Sequence, residues 1–174
     1  MGLEKTFREF STALLRLDDR LRELRVTVVE DRPSRNDGVV PDNLELAVED
    51  LLGWLQEASE AAAAAHKAAQ HPVDMDGARR ALGTCQERFE RMEQVFSSKL
   101  VSYEHMADLT SFGKERRGEW PMWVLTAKRG IDLCRAPMDG ARSRLAECWQ
   151  EIAERVGMTS ISVTNVGQVV DRPS

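Results

Sequence analysis

The fold of this chain is decided by residues 3–28, LEKTFREFSTALLRLDDRLRELRVTV. Their apolar side chains recur at alternating steps of four and three residues, which is the heptad spacing of a helix that buries one face against other helices. Charged residues fill most of the other positions. The pattern therefore predicts an amphipathic first helix over residues 3–31. Its apolar positions are Leu3, Phe7, Phe10, Leu14, Leu17, Leu21, Leu24 and Val28.

A second helix is predicted over residues 42–70, after a loop rich in Pro, Ser, Asn and Asp. Pro33 ends the first helix because it disfavours helical backbone at the residue before it. If the two helices are antiparallel, the bulky Phe7 and Phe10 fall opposite the alanine-rich end of the second helix. Such large-to-small pairing favours a hairpin that closes on itself. The apolar positions of the second helix are Leu44, Val48, Leu51, Leu55, Ala58, Ala62, Ala65 and Ala69.

Two longer helices are predicted over residues 75–112 and 119–157. In the third helix, Met92, Phe96 and Leu100 follow one another at two steps of four, a stutter that locally unwinds a left-handed supercoil. The apolar spacing of the fourth helix runs through Pro137 without a change of phase. We therefore expect one helix with a kink near Pro137 rather than two separate helices.

Together the four segments predict an all-α protein, an up-down-up-down four-helix bundle over residues 1–157 with left-handed, knobs-into-holes packing. In residues 158–174, Ile161 and Val163 alternate with Ser and Thr, which favours an extended C-terminal tail. Either this tail is flexible, or it docks on the bundle or on another chain by strand addition. The large-to-small pairing favours one chain that closes on itself as a monomer, although a homodimer of hairpins would show the same heptad pattern.

Composition and charge exclude several classes of protein. A net charge of −5 gives no general attraction to phosphate backbones, so we expect no nucleic-acid partner in the absence of a local basic patch. The chain has no secretory leader pattern and no apolar run of about 20 residues, which predicts a cytoplasmic protein with no membrane contact. Three cysteines without a CxxC pair argue against a disulfide framework or a zinc finger.

No set of residues has the spacing of a catalytic, metal or cofactor site. The three histidines do not fit the Glu-x-x-His pattern of di-iron bundles or the HExxH pattern of zinc proteases. Phosphate-binding glycine loops and GxSxG elbows are also absent. Cys85 and Cys148 are expected at the same height in adjacent helices, most simply as two small core residues. The sequence therefore predicts a protein that is not an enzyme and holds no cofactor.

One segment occurs twice. Met75–Arg79, with the sequence MDGAR, recurs at Met138–Arg142, and a Leu and a Cys follow each copy at the same distances. The offset of 63 residues is nine heptads, so both copies have the same helical phase. Duplication of a helical unit and chance similarity both explain this match.

The turn between the third and fourth helices has the composition of an interface. These helices are about ten residues longer than the first two, so this tip overhangs the bundle by roughly 10–15 Å. Trp, Met and Arg, which are enriched in interface hot spots, cluster there. Alternatively, the loop of residues 32–41 folds over the tip and the tryptophans cap the core. The tip residues predicted to bind a partner are Arg116, Arg117, Trp120, Met122 and Trp123.

The sequence thus predicts a non-enzymatic protein–protein interaction module, an adaptor or an assembly subunit. Its partner would be another protein, bound through the tip and through Ile161 and Val163 in the tail. The alternative function is a sensor that binds a ligand or cofactor in the core of the bundle. Phe96 falls opposite Arg135, close to Pro137, and a local loss of regular packing there would open a cavity. The sequence does not identify the partner.

Overall fold

The computed structural model describes residues 2–30, 43–70, 73–100 and 119–157. Over these residues the chain forms four α-helices and no strand, which confirms the predicted all-α four-helix bundle. The helices are α1 (Leu3–Arg25), α2 (Asn43–Ala68), α3 (Met75–Val95) and α4 (Glu119–Gly157). The loop of residues 32–41, the end of the predicted third helix and the predicted tail lie outside the described residues.

The ends of α1 and α2 show that these helices are antiparallel. Near the C-terminus of α1, Arg25 donates a hydrogen bond of 2.7 Å to Glu49 near the start of α2. At the other end of the pair, Glu4 lies 2.9 Å from His66, which is in the last turn of α2. The two helices therefore form the hairpin that the sequence predicted.

The remaining helices continue the alternating order. The Cys85 thiol of α3 donates a hydrogen bond of 3.2 Å to the Ala58 carbonyl of α2. Helix α4 then returns along α1, because the Trp123 indole donates to Thr27 at the far end of α1. Each helix packs against the helices before and after it, and α4 closes the bundle on α1. Among the described residues, no helix has both the length and the apolar composition to span a bilayer.

The core contains the residues that the heptad spacing selected. All eight apolar positions of α2 are buried, as are those of α1 except the partly buried Leu3. The Phe7 ring stacks on the ring of His66 at a centroid distance of 5.1 Å, beside the buried Ala65. The rings of Phe10 and Phe89 approach to 6.4 Å across the centre of the bundle. Large side chains of α1 therefore fill the space that the alanines of α2 leave.

Two helices lose regular α-helical geometry near their ends. Helix α1 continues into a π-helical turn at Val26–Glu30, and α3 continues into another at Phe96–Leu100. The second turn coincides with the predicted stutter. A π-helical turn contains more residues than an α-helical turn, so steps of four return to the same side of the helix. Met92, Phe96 and Leu100 therefore all remain buried.

The two copies of the MDGAR segment occupy different positions in the fold. The first copy begins α3, where the Asp74 side chain accepts a hydrogen bond of 2.9 Å from the Gly77 amide and caps the helix. The second copy lies inside α4. A Cβ atom added to Gly77 would collide with the Asp74 carboxylate, whereas one added to Gly140 would meet nothing within 4 Å. The same glycine therefore supports a helix cap in only one copy.

The two glycines give opposite stability predictions. Gly140→Ala raises the free energy of unfolding by about 0.5–1 kcal/mol, because alanine stabilises a helix interior relative to glycine. Gly77→Ala gives no such gain, because it displaces a cap that contributes about 1 kcal/mol. Urea unfolding followed by circular dichroism measures both values. Equal gains in the two variants would contradict this account of the cap.

The contact between Glu4 and His66 predicts a pH dependence. Its hydrogen bond with His66 lowers the pKa of Glu4 below the usual value of 4.5. A carboxyl with a lowered folded pKa stabilises the fold at higher pH, and this stability is lost as the pH falls through the folded pKa. The difference in unfolding free energy between the wild type and Glu4→Gln should therefore shrink from about pH 7 to about pH 3. Glu154→Gln, on the exposed side of α4, is the matched control, and an identical pH dependence in both variants would contradict the prediction.

Candidate functional site

An open groove of about 760 Å³ runs along the surface between α1 and α4. The two walls come from opposite ends of the sequence and meet because α4 packs along α1. Helix α1 contributes Arg8, Glu9, Thr12, Ala13, Arg16 and Arg20. Helix α4 contributes Asp132, Leu133, Ala136, Pro137, Gly140 and Arg144.

The facing residues follow from the antiparallel register of the two helices. Arg144 donates a hydrogen bond of 3.0 Å to Glu9 across one end of the groove. Closer to the other end of the helices, a Cβ added to Gly130 would lie 3.0 Å from a methyl group of Leu24, so the helices approach closely there. Between these points the α1 row of residues 9, 13, 16 and 20 and the α4 row of residues 144, 140, 137 and 133 both advance by steps of four, three and four residues. Counted from the pair of Glu9 and Arg144, the register predicts Ala13 opposite Gly140, Arg16 opposite Pro137, and Arg20 opposite Leu133; all six residues line the groove.

Small residues explain why the groove is open. Ala13 and Gly140 line the groove with no side chain larger than a methyl group, and a Cβ added to Gly140 would meet nothing within 4 Å. Leu133, on the α4 wall, leaves 47% of its surface exposed. The floor and the α4 side of the groove are therefore largely apolar, and their side chains do not fill the space between the helices.

Pro137 adds a polar feature to the same wall. Helix α4 is one continuous helix through this residue, as its spacing predicted. Proline has no N–H, so the carbonyl of Leu133 does not receive the helical hydrogen bond that residue 137 would otherwise donate. Both residues line the groove. Helix α4 therefore lacks one of its regular backbone hydrogen bonds at the wall of the groove.

The groove is basic although the protein is acidic. Four arginines and two carboxylates line it, in a chain whose net charge is −5. Arg144 pairs with Glu9 and with Glu147, at 3.0 and 2.9 Å. Arg16 forms no ion pair with any residue that the structure describes, and its facing neighbour Pro137 has no charge. Arg8 pairs with Glu4 at 3.6 Å and Arg20 with Glu23 at 2.9 Å, so Arg16 is the groove arginine whose charge is not neutralised by an ion pair among the described residues.

The arginines lie mainly on the α1 side. Arg8, Arg16 and Arg20 belong to the row of α1 that also contains Thr12, with successive positions four residues apart. Arg20 forms an ion pair of 2.9 Å with Glu23, and 44% of its side chain stays exposed. One wall of the groove is thus basic and the other largely apolar. This asymmetry constrains what the groove can bind.

The cysteines have the properties of core residues. All three thiols are free and buried. Burial raises the pKa of Cys85 and of Cys134 to about 12, and it raises the pKa of Cys148 as well. At neutral pH these thiols are protonated, so they are neither nucleophiles nor ready metal ligands. In the described ranges, no three His, Cys, Asp or Glu side chains are grouped as metal ligands.

Only one of the predicted partner-binding residues has a described side chain. The Trp123 indole is 5% exposed, and its N–H donates a hydrogen bond of 2.6 Å to the Thr27 carbonyl in the π-helical turn after α1. Trp123 thus packs within the bundle, and partner binding at the tip stays a prediction. The backbone of Trp120 and Met122 belongs to the first turn of α4. Arg116, Arg117, Ile161 and Val163 lie outside the described residues.

A second, smaller cleft of about 310 Å³ lies between α3 and α4. The Arg135 guanidinium lies 5.4 Å from the centre of the Phe96 ring, so the two residues meet as their spacing predicted. The cleft opens to solvent at the edge of the bundle and is not a core cavity. Its charges neutralise one another, because Arg142 pairs with both Glu93 and Asp139.

The α1–α4 groove does not follow from the apolar spacing of the sequence, because its lining residues stand beside the apolar rows and not within them. The signal was a second row beside each apolar one: residues 9, 13, 16 and 20 in α1 and residues 133, 137, 140 and 144 in α4. Both rows advance by four, three and four residues. Small and basic side chains in such a row indicate a surface that packs incompletely.

Comparison with known proteins gives no family assignment. The sequence matches no protein-family model, and no curated protein or solved structure matches it. What the groove binds is therefore inferred from its own shape and charge.

Replacing Pro137 tests whether this proline in the groove wall lowers the free energy of unfolding of the protein. Proline inside a helix costs about 3 kcal/mol relative to alanine, so Pro137→Ala should raise the free energy of unfolding by about 1–3 kcal/mol. Pro121→Ala is the matched control, because a proline in the first turn of a helix removes no intrahelical hydrogen bond. Urea unfolding measures both. A destabilised Pro137→Ala variant would show instead that the proline ring is needed for packing.

Proposed function

We propose that this chain is a non-enzymatic protein–protein interaction module, an adaptor or an assembly subunit, that binds its partner in the α1–α4 groove. One observation carries the proposal. Arg16 lines this groove together with the apolar Leu133, Ala136 and Pro137, and it forms no ion pair within the described residues, whereas the other groove arginines each pair with a carboxylate. Arginine above an apolar floor is typical of the residues that dominate binding energy in protein interfaces.

The dimensions of the groove favour a polypeptide. The wall from Arg8 to Arg20 covers thirteen residues of α1, and the twelve steps between its ends span about 18 Å of helix. The groove is open along this length, whereas small-molecule sites enclose most of their ligand. A segment of another protein would contact both walls over the whole distance.

Charge and contacts favour a protein over the other ligand classes. A nucleic acid would bring a continuous row of phosphates past Glu9 and Asp132 as well as past the arginines, whereas a polypeptide can carry its carboxylates on one side alone. The small-molecule sensor that the sequence left open has its best site in the α3–α4 cleft. There Arg142 is already paired with two carboxylates, so that cleft has less unsatisfied charge to offer a ligand.

Site-specific photocrosslinking in the cells that produce the protein tests the proposal. A photoreactive amino acid replaces Leu133 in the groove or, as a control, Leu46 on α2. Both leucines are exposed, at 47% and 65%. Position 133 should crosslink to one defined protein, identified by mass spectrometry, and position 46 should not.

A second substitution makes the crosslinking result specific for the groove. Gly140→Phe, made together with the photoreactive residue at position 133, fills the floor and should abolish the adduct. Circular dichroism checks that this variant keeps its helices. Absence of an adduct at position 133, or the same adducts at both positions, would overturn the groove as the binding surface.

A further inference from the structure

The geometry points to a specific occupant for the α1–α4 groove, and this inference rests on the function proposed above. We infer that the groove binds an acidic amphipathic α-helix of a partner protein. In the complex this helix lies lengthwise between α1 and α4, with its carboxylates toward α1 and its apolar side chains toward α4.

The shape of the site favours a helix over an extended segment. Two antiparallel helices form a straight groove, and a third helix packs into such a groove along its length. An extended peptide gains affinity by adding to a free sheet edge, and the described part of the chain contains no strand. At about 1.5 Å per residue, the groove matches about twelve residues, or three turns, of the bound helix.

The floor allows the bound helix to approach closely. Ala13 and Gly140 both line the groove, and a Cβ at Gly140 would meet nothing within 4 Å. An apolar side chain of the partner helix would occupy this open space. The neighbouring Ala136, Pro137 and Leu133 extend the apolar contact along α4. The site therefore selects a stripe of apolar residues on one side of the partner helix.

The α1 wall determines the charge of the partner helix. Arg16 and Arg20 are one helical turn apart, and Arg8 lies two turns before Arg16. Carboxylates three or four residues apart on a helix have a matching repeat. Arg16 has no ion pair within the described residues, so a carboxylate placed beside it displaces no internal partner. The matching helix thus carries Asp or Glu at these intervals next to its apolar stripe.

Fluorescence anisotropy with designed peptides tests this occupant on the full chain. The probe is a labelled peptide of about 14 residues with a leucine stripe and glutamates four residues apart beside it. One control peptide has lysine in place of every glutamate, and another has the probe's composition in scrambled order. The probe should bind roughly tenfold or more tightly than either control.

Matched protein variants locate the binding. Arg16→Glu should weaken binding of the probe by roughly tenfold, and Gly140→Phe should abolish it. Arg22→Glu makes the same charge change on the exposed face of the same helix, outside the groove, and should leave the affinity nearly unchanged. Equal losses in Arg16→Glu and Arg22→Glu would show that general charge attraction causes the binding and would overturn the assignment.

The remaining outcomes identify other occupants. Equal binding of the scrambled peptide would overturn the helical partner, and tight binding of a single-stranded DNA oligonucleotide that Arg16→Glu abolishes would replace it with a nucleic acid. A mass that doubles with concentration in light scattering, and returns to 19.6 kDa in Gly140→Phe, would replace it with a second copy of this chain. If no peptide binds but position 133 still crosslinks to a protein, the inference of an acidic helix is wrong and the proposed interaction module stands. If no peptide binds and position 133 forms no crosslink, both the acidic helix and the interaction module are overturned.

Discussion

Burial of a continuous apolar row along each helix is the constraint on which the rest of the structure depends. On α1 and α2 the rows can be buried together only if the helices are antiparallel and in one register, in which Phe7 stacks on His66 and Glu4 reaches the same histidine. The same condition aligns α4 with α1. Once these registers are set, every residue beside the buried rows has a fixed neighbour, including residues that contribute little to stability. The α1–α4 groove is such a consequence.

The irregular parts of the helices show how the core tolerates imperfect spacing. Two successive steps of four would carry an α-helix out of phase, and the π-helical turn at Phe96–Leu100 restores the phase so that all three apolar residues stay buried. Pro137 has a different consequence. The apolar residues of α4 keep a regular spacing on both sides of Pro137, so the helix continues through it. The hydrogen bond lost at the proline affects the groove rather than the core. Backbone irregularity therefore accompanies both clefts.

The α1–α4 groove combines features that do not favour stability of the isolated chain. Gly140 and Pro137 are both poor residues for a helix interior, and Arg16 has no ion pair among the described residues. A stable surface needs none of these. In the proposed complex, the glycine leaves space for the partner helix and the arginine leaves a positive charge for its carboxylates. This contrast with a surface that serves stability alone is what supports the proposed function.

The sequence by itself determined the fold class, the helical order and nearly the whole core, because heptad spacing records directly which face of a helix avoids water. It also placed Phe96 opposite Arg135. It could not identify the groove, because Arg16 lies more than a hundred residues before Pro137 and Gly140. Each of the three alone resembles an ordinary surface residue or an ordinary helix breaker. Only the packing of α4 along α1 made them neighbours. Burial is a local property of each helix, whereas an unfilled space between two helices exists only when both are in place.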